Sequence, residues 1–146
     1  MPDAPQTENP VNLGSAKRRY AEVFAPWVRQ LNLSIEAIAE DGVVVRMPFA
    51  DELCRVHEMV CGQAMMTLID TCMVFVCYAA QGRYCNCTTV SQNTSFMRPA
   101  RGQDILATGR ALKSGRSLVF GEVTLRTAND EQIICSGTST YMVLPD

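Results

Sequence analysis

One carboxylate stands alone in the most apolar stretch of the chain. Asp70 is the only formally charged residue between positions 60 and 81, VCGQAMMTLIDTCMVFVCYAAQ. A carboxylate in apolar surroundings is costly to desolvate without a partner, so Asp70 is a candidate catalytic group. It can activate water as a general base or attack a carbonyl directly. The alternative is a structural carboxylate satisfied by Thr67, Thr71 or a neighbouring backbone group.

A second candidate group lies at the start of the same stretch. If residues 60–81 are helical, the leading N–H groups lack partners and the helix dipole favours negative charge there. The amides of Gly62 and Gln63 are therefore candidate oxyanion-hole donors, with simple flexibility as the alternative role of Gly62. Asp70 lies about 12 Å further along such a helix. Because one helix cannot easily bring both groups to one carbonyl, we expect two copies of the chain to share a site.

Two more groups flank the helix start. His57 is the only histidine of the chain and lies four residues before Cys61. It can orient a substrate or protonate a leaving group near neutral pH, and the alternative is a loop histidine in solvent. Cys61 is expected to line the pocket as a small, reactive group. Cys85 and Cys87 lack the second cysteine pair or the histidines of a zinc site, so we predict neither a metal nor another cofactor.

The stretch around Asp70 predicts one long helix, because it contains no proline and is followed by Gly82 as a C-cap. Apolar side chains cover nearly its whole circumference, which predicts burial on all sides. A helix of this length is also long enough to span a membrane. The charge of Asp70 disfavours that interpretation, so we predict a core helix and no membrane association.

The rest of the chain predicts one peripheral helix and six strands. Residues 15–32 have helical spacing, with Ser15 as N-cap and Pro26 kinking or splitting the helix. Strands are predicted around an Asp41-Gly42 turn and, joined by short turns as a continuous antiparallel meander, downstream of the long helix. Their predicted bounds are 33–38, 43–47, 84–97, 104–112, 117–127 and 132–144. A curved antiparallel sheet wrapped around one apolar helix is an α+β hotdog fold.

Composition limits the remaining possibilities. The 146 residues suffice for one domain, predicted at 15–146 after an acidic, proline-punctuated and disordered lead-in at 1–14. A net charge of −2 gives no bulk electrostatic reason to bind nucleic acid. Seven cysteines, an odd number without a signal peptide, predict reduced thiols and a cytoplasmic protein.

Residues 60–71 resemble the helix start of the PaaI-type hotdog acyl-CoA thioesterases. In that family His-Gly-Gly, or Ser-Gly-Pro in one subgroup, precedes Leu-x-Asp, with the Asp eight residues after the first glycine. Gly62 and Asp70 keep this spacing. Cys61 and Gln63 depart from the pattern, so no role of the replaced imidazole is carried over.

Three downstream segments strengthen the resemblance. Residues 88–102 are similar to the family's strand running into an Arg-Pro-Ala-x-Gly turn, residues 112–116 to its next hairpin and residues 141–145 to its terminal strand. The motifs occur in the family's order over most of the chain.

The resemblance implies hydrolysis of small to medium acyl-CoA thioesters, with aromatic acyl groups left open. It implies a homodimer, or a dimer of dimers, in which Asp70 of one subunit faces the helix start of the other. Thr89 aligns with a hydroxyl that helps to hold the nucleophilic water, and Thr71 is expected to contact substrate. Basic side chains in turns are expected to bind coenzyme A: Arg98, Arg101, Lys113 and Arg116.

Each of these interpretations has an alternative. Thr89 can be an ordinary strand threonine, and the basic side chains can be solvated turn charges. For the whole protein, the alternatives are a non-catalytic acyl-CoA-binding or sensor module and a hotdog dehydratase or hydratase. The last needs a histidine paired with an acid in the pocket, and only His57 is available.

Overall fold

The computed structural model describes residues 10–146. Most of the predicted lead-in, residues 1–9, lies outside the described residues. The first helix, α1, spans Leu13–Val23 and therefore begins two residues before the predicted start at Ser15. Asn12 is its N-cap and forms a capping box with Ser15, whose N–H donates to Asn12 Oδ1 at 2.9 Å. The capping signal of Asn12 thus prevails over that of Ser15.

The N-terminal region follows the predicted pattern. Pro26 splits the peripheral helix, because it starts a separate short helix, α2, at Pro26–Arg29. The hairpin consists of β1 (Ser34–Ala39) and β2 (Gly42–Met47). Its two-residue turn is Glu40-Asp41 rather than Asp41-Gly42, because Gly42 already pairs with Ala39 as the first residue of β2.

The predicted central helix is present as α3, which spans Gly62–Gln81 and has Cys61 as N-cap. It begins two residues after the predicted start, because Val60 belongs to a short strand. Gly82 ends it in the left-handed conformation (φ 70°), and the Gly82 N–H donates to the Ala79 carbonyl. The linker before α3 contains two short paired strands, β3 (Cys54–Arg55) and β4 (Met59–Val60). Although α3 is long and apolar enough to cross a membrane, the sheet packs around it and makes it the core helix.

Four long strands follow α3. They are β5 (Cys87–Phe96), β6 (Ile105–Ser114), β7 (Leu118–Thr127) and β8 (Ile133–Val143). The antiparallel sheet has the order β1-β2-β6-β7-β8-β5. The predicted four-strand meander is therefore wrong: residues 97–104 carry the chain across the sheet, so that β6 pairs with β2 and β5 pairs with β8. The hotdog architecture, a curved sheet around one long helix, is confirmed.

Close contact with the sheet fixes the position of α3. A Cβ on Gly109 of β6 would lie 2.9 Å from Cys72 Sγ, and one on Gly121 of β7 would lie 2.6 Å from Met73 Cε. The missing side chains let the helix sit directly on these strands. The sheet covers only one side, however, so the predicted burial of α3 on all sides is wrong for the single chain. Met66 is 43% exposed, and Asp70 and Val74 on the same helix stripe are half-buried.

Candidate active site

Two hydroxyl groups from neighbouring strands hold the carboxylate of Asp70. Thr89 Oγ1 on β5 donates to Asp70 Oδ1 at 2.8 Å. The Tyr141 hydroxyl on β8 contacts the same oxygen and lies 2.8 Å from the Asp70 main-chain carbonyl. The Asp70 carboxylate is not bonded by Thr67 or Thr71, the two threonines of its own helix. Thr67 Oγ1 donates to the Gln63 carbonyl instead. Among residues 10–146, Asp70 Oδ2 accepts no hydrogen bond.

The carboxylate lies in the wall of an open groove of about 390 Å³. Its other walls come from α2, the exposed stripe of α3 and the inner side of β5. Its surface is mainly apolar, and Thr67, Thr71, Thr89 and Gln92 add polar atoms beside Asp70. The lining residues are Phe24, Trp27, Val28, Met66, Thr67, Asp70, Thr71, Val74, Thr89 and Gln92. We call this the acid groove; it holds three of the predicted site residues, Asp70, Thr71 and Thr89.

The start of α3 presents unpaired backbone donors, as predicted. No side chain caps the helix, and the N–H groups of Gly62 and Gln63 find no acceptor among the described residues. The ring of Phe96 lies over Gly62, since a Cβ there would be 3.3 Å from Phe96 Cζ. Gly62 and Phe96 line a second groove of about 440 Å³ with Arg55, Met59, Val60, Met65, Met97, Arg98 and Pro99. We call it the amide groove.

The two grooves lie at different heights along one helix. Gly62 and Asp70 are separated by two turns, or about 12 Å along the axis, and no residue lines both grooves. The single chain therefore does not bring its acid and its amides to one reacting carbonyl. Both belong to the exposed stripe of α3, beside the mostly exposed edge strand β5.

The two candidate side chains near the helix start, His57 and Cys61, lie outside both grooves. His57 is exposed, has a left-handed backbone (φ 63°) and lines neither groove. Cys61 is half-buried, and its backbone N–H donates to the Leu53 carbonyl at 2.8 Å.

Within residues 10–146, no group of three or more His, Cys, Asp or Glu side chains is arranged to hold a metal ion.

The four basic residues do not form one patch within the chain. Arg98 lines the amide groove, and Arg101 lies nearby, paired with Met59 in an isolated bridge. Lys113 and Arg116 lie at the opposite end of α3, where Gln81 donates to Ser114 Oγ and the Gly115 carbonyl. Lys113 also belongs to β6 rather than to the turn. Within one chain, Arg98 and Lys113 therefore lie near opposite ends of α3, which is about 30 Å long. Binding of coenzyme A by these four residues stays a prediction.

Tyr141 is the site residue that the sequence analysis missed. It is 1% exposed and faces inward in an alternating strand, so it is indistinguishable in sequence from a core aromatic. The available signal was that a buried phenol and a lone carboxylate both require a hydrogen-bond partner. Burial and the adjacent charge of Asp70 raise the pKa of Tyr141, so its hydroxyl stays protonated and acts as the donor.

The sheet wrapped around α3 defines a hotdog fold, and Asp70 in the wall of an open groove is its candidate reactive group. The sequence profile of the thioesterase superfamily matches residues 58–134, just over half of the chain. The chain belongs to the thioesterase superfamily, and it is a thioester hydrolase. A Thermoplasma acidophilum protein provisionally named an esterase is 23% identical over 117 residues, covering 80% of this chain and 87% of that protein.

Solved structures have the same fold. Zebrafish thioesterase superfamily member 2 is 24% identical with a TM-score of 0.81, covering 92% of this chain and 99% of that one. The Escherichia coli PaaI protein of the phenylacetic acid degradation operon is 16% identical with a TM-score of 0.80, covering 90% and 92%. A Streptococcus pneumoniae protein described as a hypothetical thioesterase, crystallised with coenzyme A, is 17% identical with a TM-score of 0.71, covering 79% and 88%.

Proposed function

We propose that the protein hydrolyses small to medium acyl-CoA thioesters, including aromatic ones. The observation that carries this proposal is the carboxylate of Asp70, held on one oxygen by Thr89 and Tyr141 and placed in the wall of an apolar groove. The coenzyme A in the crystal of the Streptococcus pneumoniae relative supports this class of substrate.

In the proposed reaction, Asp70 acts on the thioester carbonyl carbon. As a general base it removes a proton from water, which adds to the carbonyl before the C–S bond breaks and the thiolate leaves. As a nucleophile it adds to the carbonyl and expels the thiolate by breaking the C–S bond, and water then opens the resulting anhydride to release the carboxylic acid and restore Asp70. In both routes the backbone N–H groups of Gly62 and Gln63 stabilise the oxyanion. Neither route requires a metal or redox cofactor, so we propose that the enzyme uses none.

We further propose that the site is formed between two subunits. The unpaired backbone groups of β5 and the exposed stripe of α3 leave an edge and an apolar surface that a second copy can cover. Such a homodimer places Asp70 of one chain beside the amide groove of the other. Four side chains on the outer sheet face, Val90, Leu112, Phe120 and Met142, are 39–55% exposed and offer a surface for a dimer of dimers.

The two grooves suggest how substrate binds. The acyl group occupies the acid groove against Phe24, Trp27 and Val28. The two aromatic rings and the aliphatic side chain suit an aromatic or medium aliphatic acyl group. Arg98 and Arg101, near the amide groove, interact with the negative charges of coenzyme A. The seven free cysteines support a reducing, cytoplasmic setting.

The placement of His57 favours hydrolysis over the dehydratase alternative. A dehydratase or hydratase requires an imidazole in the pocket, and the only imidazole of the chain is exposed outside both grooves. The deciding experiment measures free thiol release from a panel of acyl-CoA substrates by the purified wild-type protein and by Asp70→Asn. We expect rapid release by the wild type only. Formation of an enoyl chromophore, or ligand binding with equal background turnover by both proteins, contradicts the proposal.

A further inference from the structure

We propose that Tyr141 is a positioning residue for the reactive carboxylate: with Thr89, it fixes Asp70 Oδ1 and thereby presents Oδ2 to the substrate. This inference rests on the proposed role of Asp70. The Tyr141 ring is 1% exposed, so its hydroxyl acts on a substrate only through Asp70. Its test must therefore separate an effect on the carboxylate from an effect on folding.

The sheet register brings the two hydroxyl groups together. Thr89 on β5 and Tyr141 on β8 are direct partners across the two strands, and both side chains face α3. Immediately after Thr89 the register shifts by one residue at Val90. Because of this bulge, Gln92 also faces α3, where its Nε2 lies 3.3 Å from the Met66 carbonyl. Strand β5 thus contacts the backbone of α3 through Gln92 and orients Asp70 through Thr89.

Both hydroxyl groups converge on one oxygen. Thr89 Oγ1 lies 2.8 Å from Asp70 Oδ1, and the Tyr141 hydroxyl contacts that same atom, whereas Oδ2 accepts no hydrogen bond within residues 10–146. The terminal torsion of an aspartate is intrinsically soft and roughly two-fold, so the carboxylate has little orientation of its own. Two donors on one oxygen remove this freedom, and they leave the other oxygen of this groove-lining carboxylate available to the substrate.

A purely structural role is the competing explanation. The Tyr141 hydroxyl also lies 2.8 Å from the Asp70 main-chain carbonyl, a contact that ties β8 to the middle of α3. If this tie were its whole contribution, loss of the hydroxyl would lower the melting temperature and leave the turnover of the remaining folded enzyme unchanged. A positioning role instead lowers kcat with little change in KM, because the substrate contacts persist while the reacting oxygen loses its alignment.

The experiment compares Tyr141→Phe with Tyr84→Phe in the full-length protein. Tyr84 is a matched control, because it is also buried and its hydroxyl has a single side-chain partner, Ser15 Oγ, away from both grooves. We expect Tyr141→Phe to lower kcat about 10- to 100-fold with KM nearly unchanged. We expect Tyr84→Phe to lower only the melting temperature. A normal kcat for Tyr141→Phe overturns the inference.

A double-mutant cycle tests whether Tyr141 acts through Asp70. In an Asp70→Asn background, Tyr141→Phe should reduce the residual kcat no further, because the group it positions is already gone. A full additional loss there contradicts the inference. If Asp70→Asn itself retains wild-type turnover, the proposed function fails instead, so the two failures are distinguishable.

A second variant keeps the test valid if Tyr141→Phe does not fold. Thr89→Val removes the other donor to Asp70 Oδ1 from an exposed position of the edge strand. We expect it to lower kcat without raising KM, whereas Thr89→Ser, which keeps the hydroxyl, should restore turnover. Equal turnover by both Thr89 variants overturns the inference as well.

Discussion

The acid groove and the amide groove along α3 differ in whether one chain supplies hydrogen-bond partners for their polar groups. In the acid groove, β5 and β8 supply both donors to Asp70 Oδ1, and the carboxylate is oriented without help from another molecule. In the amide groove, the helix start has no side-chain cap, and the N–H groups of Gly62 and Gln63 lack acceptors among residues 10–146. The acid groove thus contains an oriented carboxylate, and the amide groove contains N–H donors that have no acceptor among the described residues.

This difference has a physical reason in the cost of leaving each kind of group without a partner. A half-buried carboxylate is costly to leave without hydrogen-bond partners, and Asp70 takes its partners from β5 and β8 of the same chain. Helix-start amides can remain open to solvent at little cost, so they are available to a substrate oxyanion. Because the two groups are about 12 Å apart along one helix, a second subunit is required to bring an acid and an amide to the same carbonyl.

Removal of the acid should have the largest effect. We expect Asp70→Asn to lower kcat about 10²- to 10⁴-fold, the range of a general base, while the melting temperature changes little because the asparagine oxygen still accepts from Thr89. Steady-state thiol release and thermal unfolding measure the two quantities. Retention of wild-type kcat would assign Asp70 to structure alone.

Removal of one amide should have the next largest effect. Gly62→Pro deletes a candidate oxyanion donor at the first helical position, where proline is well tolerated. The new Cβ lies about 3.3 Å from Phe96 Cζ, and the half-exposed ring can move aside. We expect kcat to fall about 10²- to 10³-fold. Unchanged kcat in a folded variant would exclude the Gly62 N–H from the oxyanion hole.

Loss of the aromatic wall should affect the choice of substrate. Trp27 is 59% exposed in the single chain and lines the acid groove. We expect Trp27→Ala to lower kcat/KM about tenfold for an aromatic acyl-CoA, or about 1.4 kcal/mol, with a smaller loss for acetyl-CoA. Ile133→Ala, an exposed apolar control on β8 outside both grooves, should change neither value. An equal loss of kcat/KM for both substrates with Trp27→Ala would contradict binding of the acyl group in the acid groove.

Loss of single basic residues should have the smallest effects. Arg98→Ala should raise KM for acyl-CoA about two- to fivefold, because one exposed charge is worth at most about 1 kcal/mol. Lys113→Ala serves as the comparison at the far end of α3. A larger effect for Lys113→Ala would show that coenzyme A follows the opposite end of the helix.

Local signals made most of the fold predictable. The absence of proline predicts one long α3 and the cap at Gly82 gives its end, whereas its start lies two residues after the predicted one. Pro26 gives the break between α1 and α2. The pairing of β5 with β8 was not predictable, because turn lengths suggest sequential neighbours and strand partners are chosen by tertiary packing. The opposite positions of Arg98 and Lys113 follow from that topology.

A site residue was predictable where its type is unusual for the surrounding sequence. Asp70 is recognisable as the single charge in an apolar stretch, and Thr89 through the resemblance. Tyr141 was missed because its role depends on the register between β5 and β8, which depends on the bulge at Val90. His57 was expected in the site as the only imidazole and from its position near the helix start. It lies in the exposed turn between β3 and β4, outside both grooves.

Subunit complementation tests the central claim most directly. Asp70→Asn and Gly62→Pro homo-oligomers are prepared separately, then unfolded and refolded together to form mixed dimers. If each site takes Asp70 from one chain and Gly62 from the other, every mixed dimer has one intact site, and activity should return to about half the wild-type value per mixed dimer. If mixed dimers form, as mass spectrometry can verify, and remain as inactive as either parent, the shared site between subunits is contradicted.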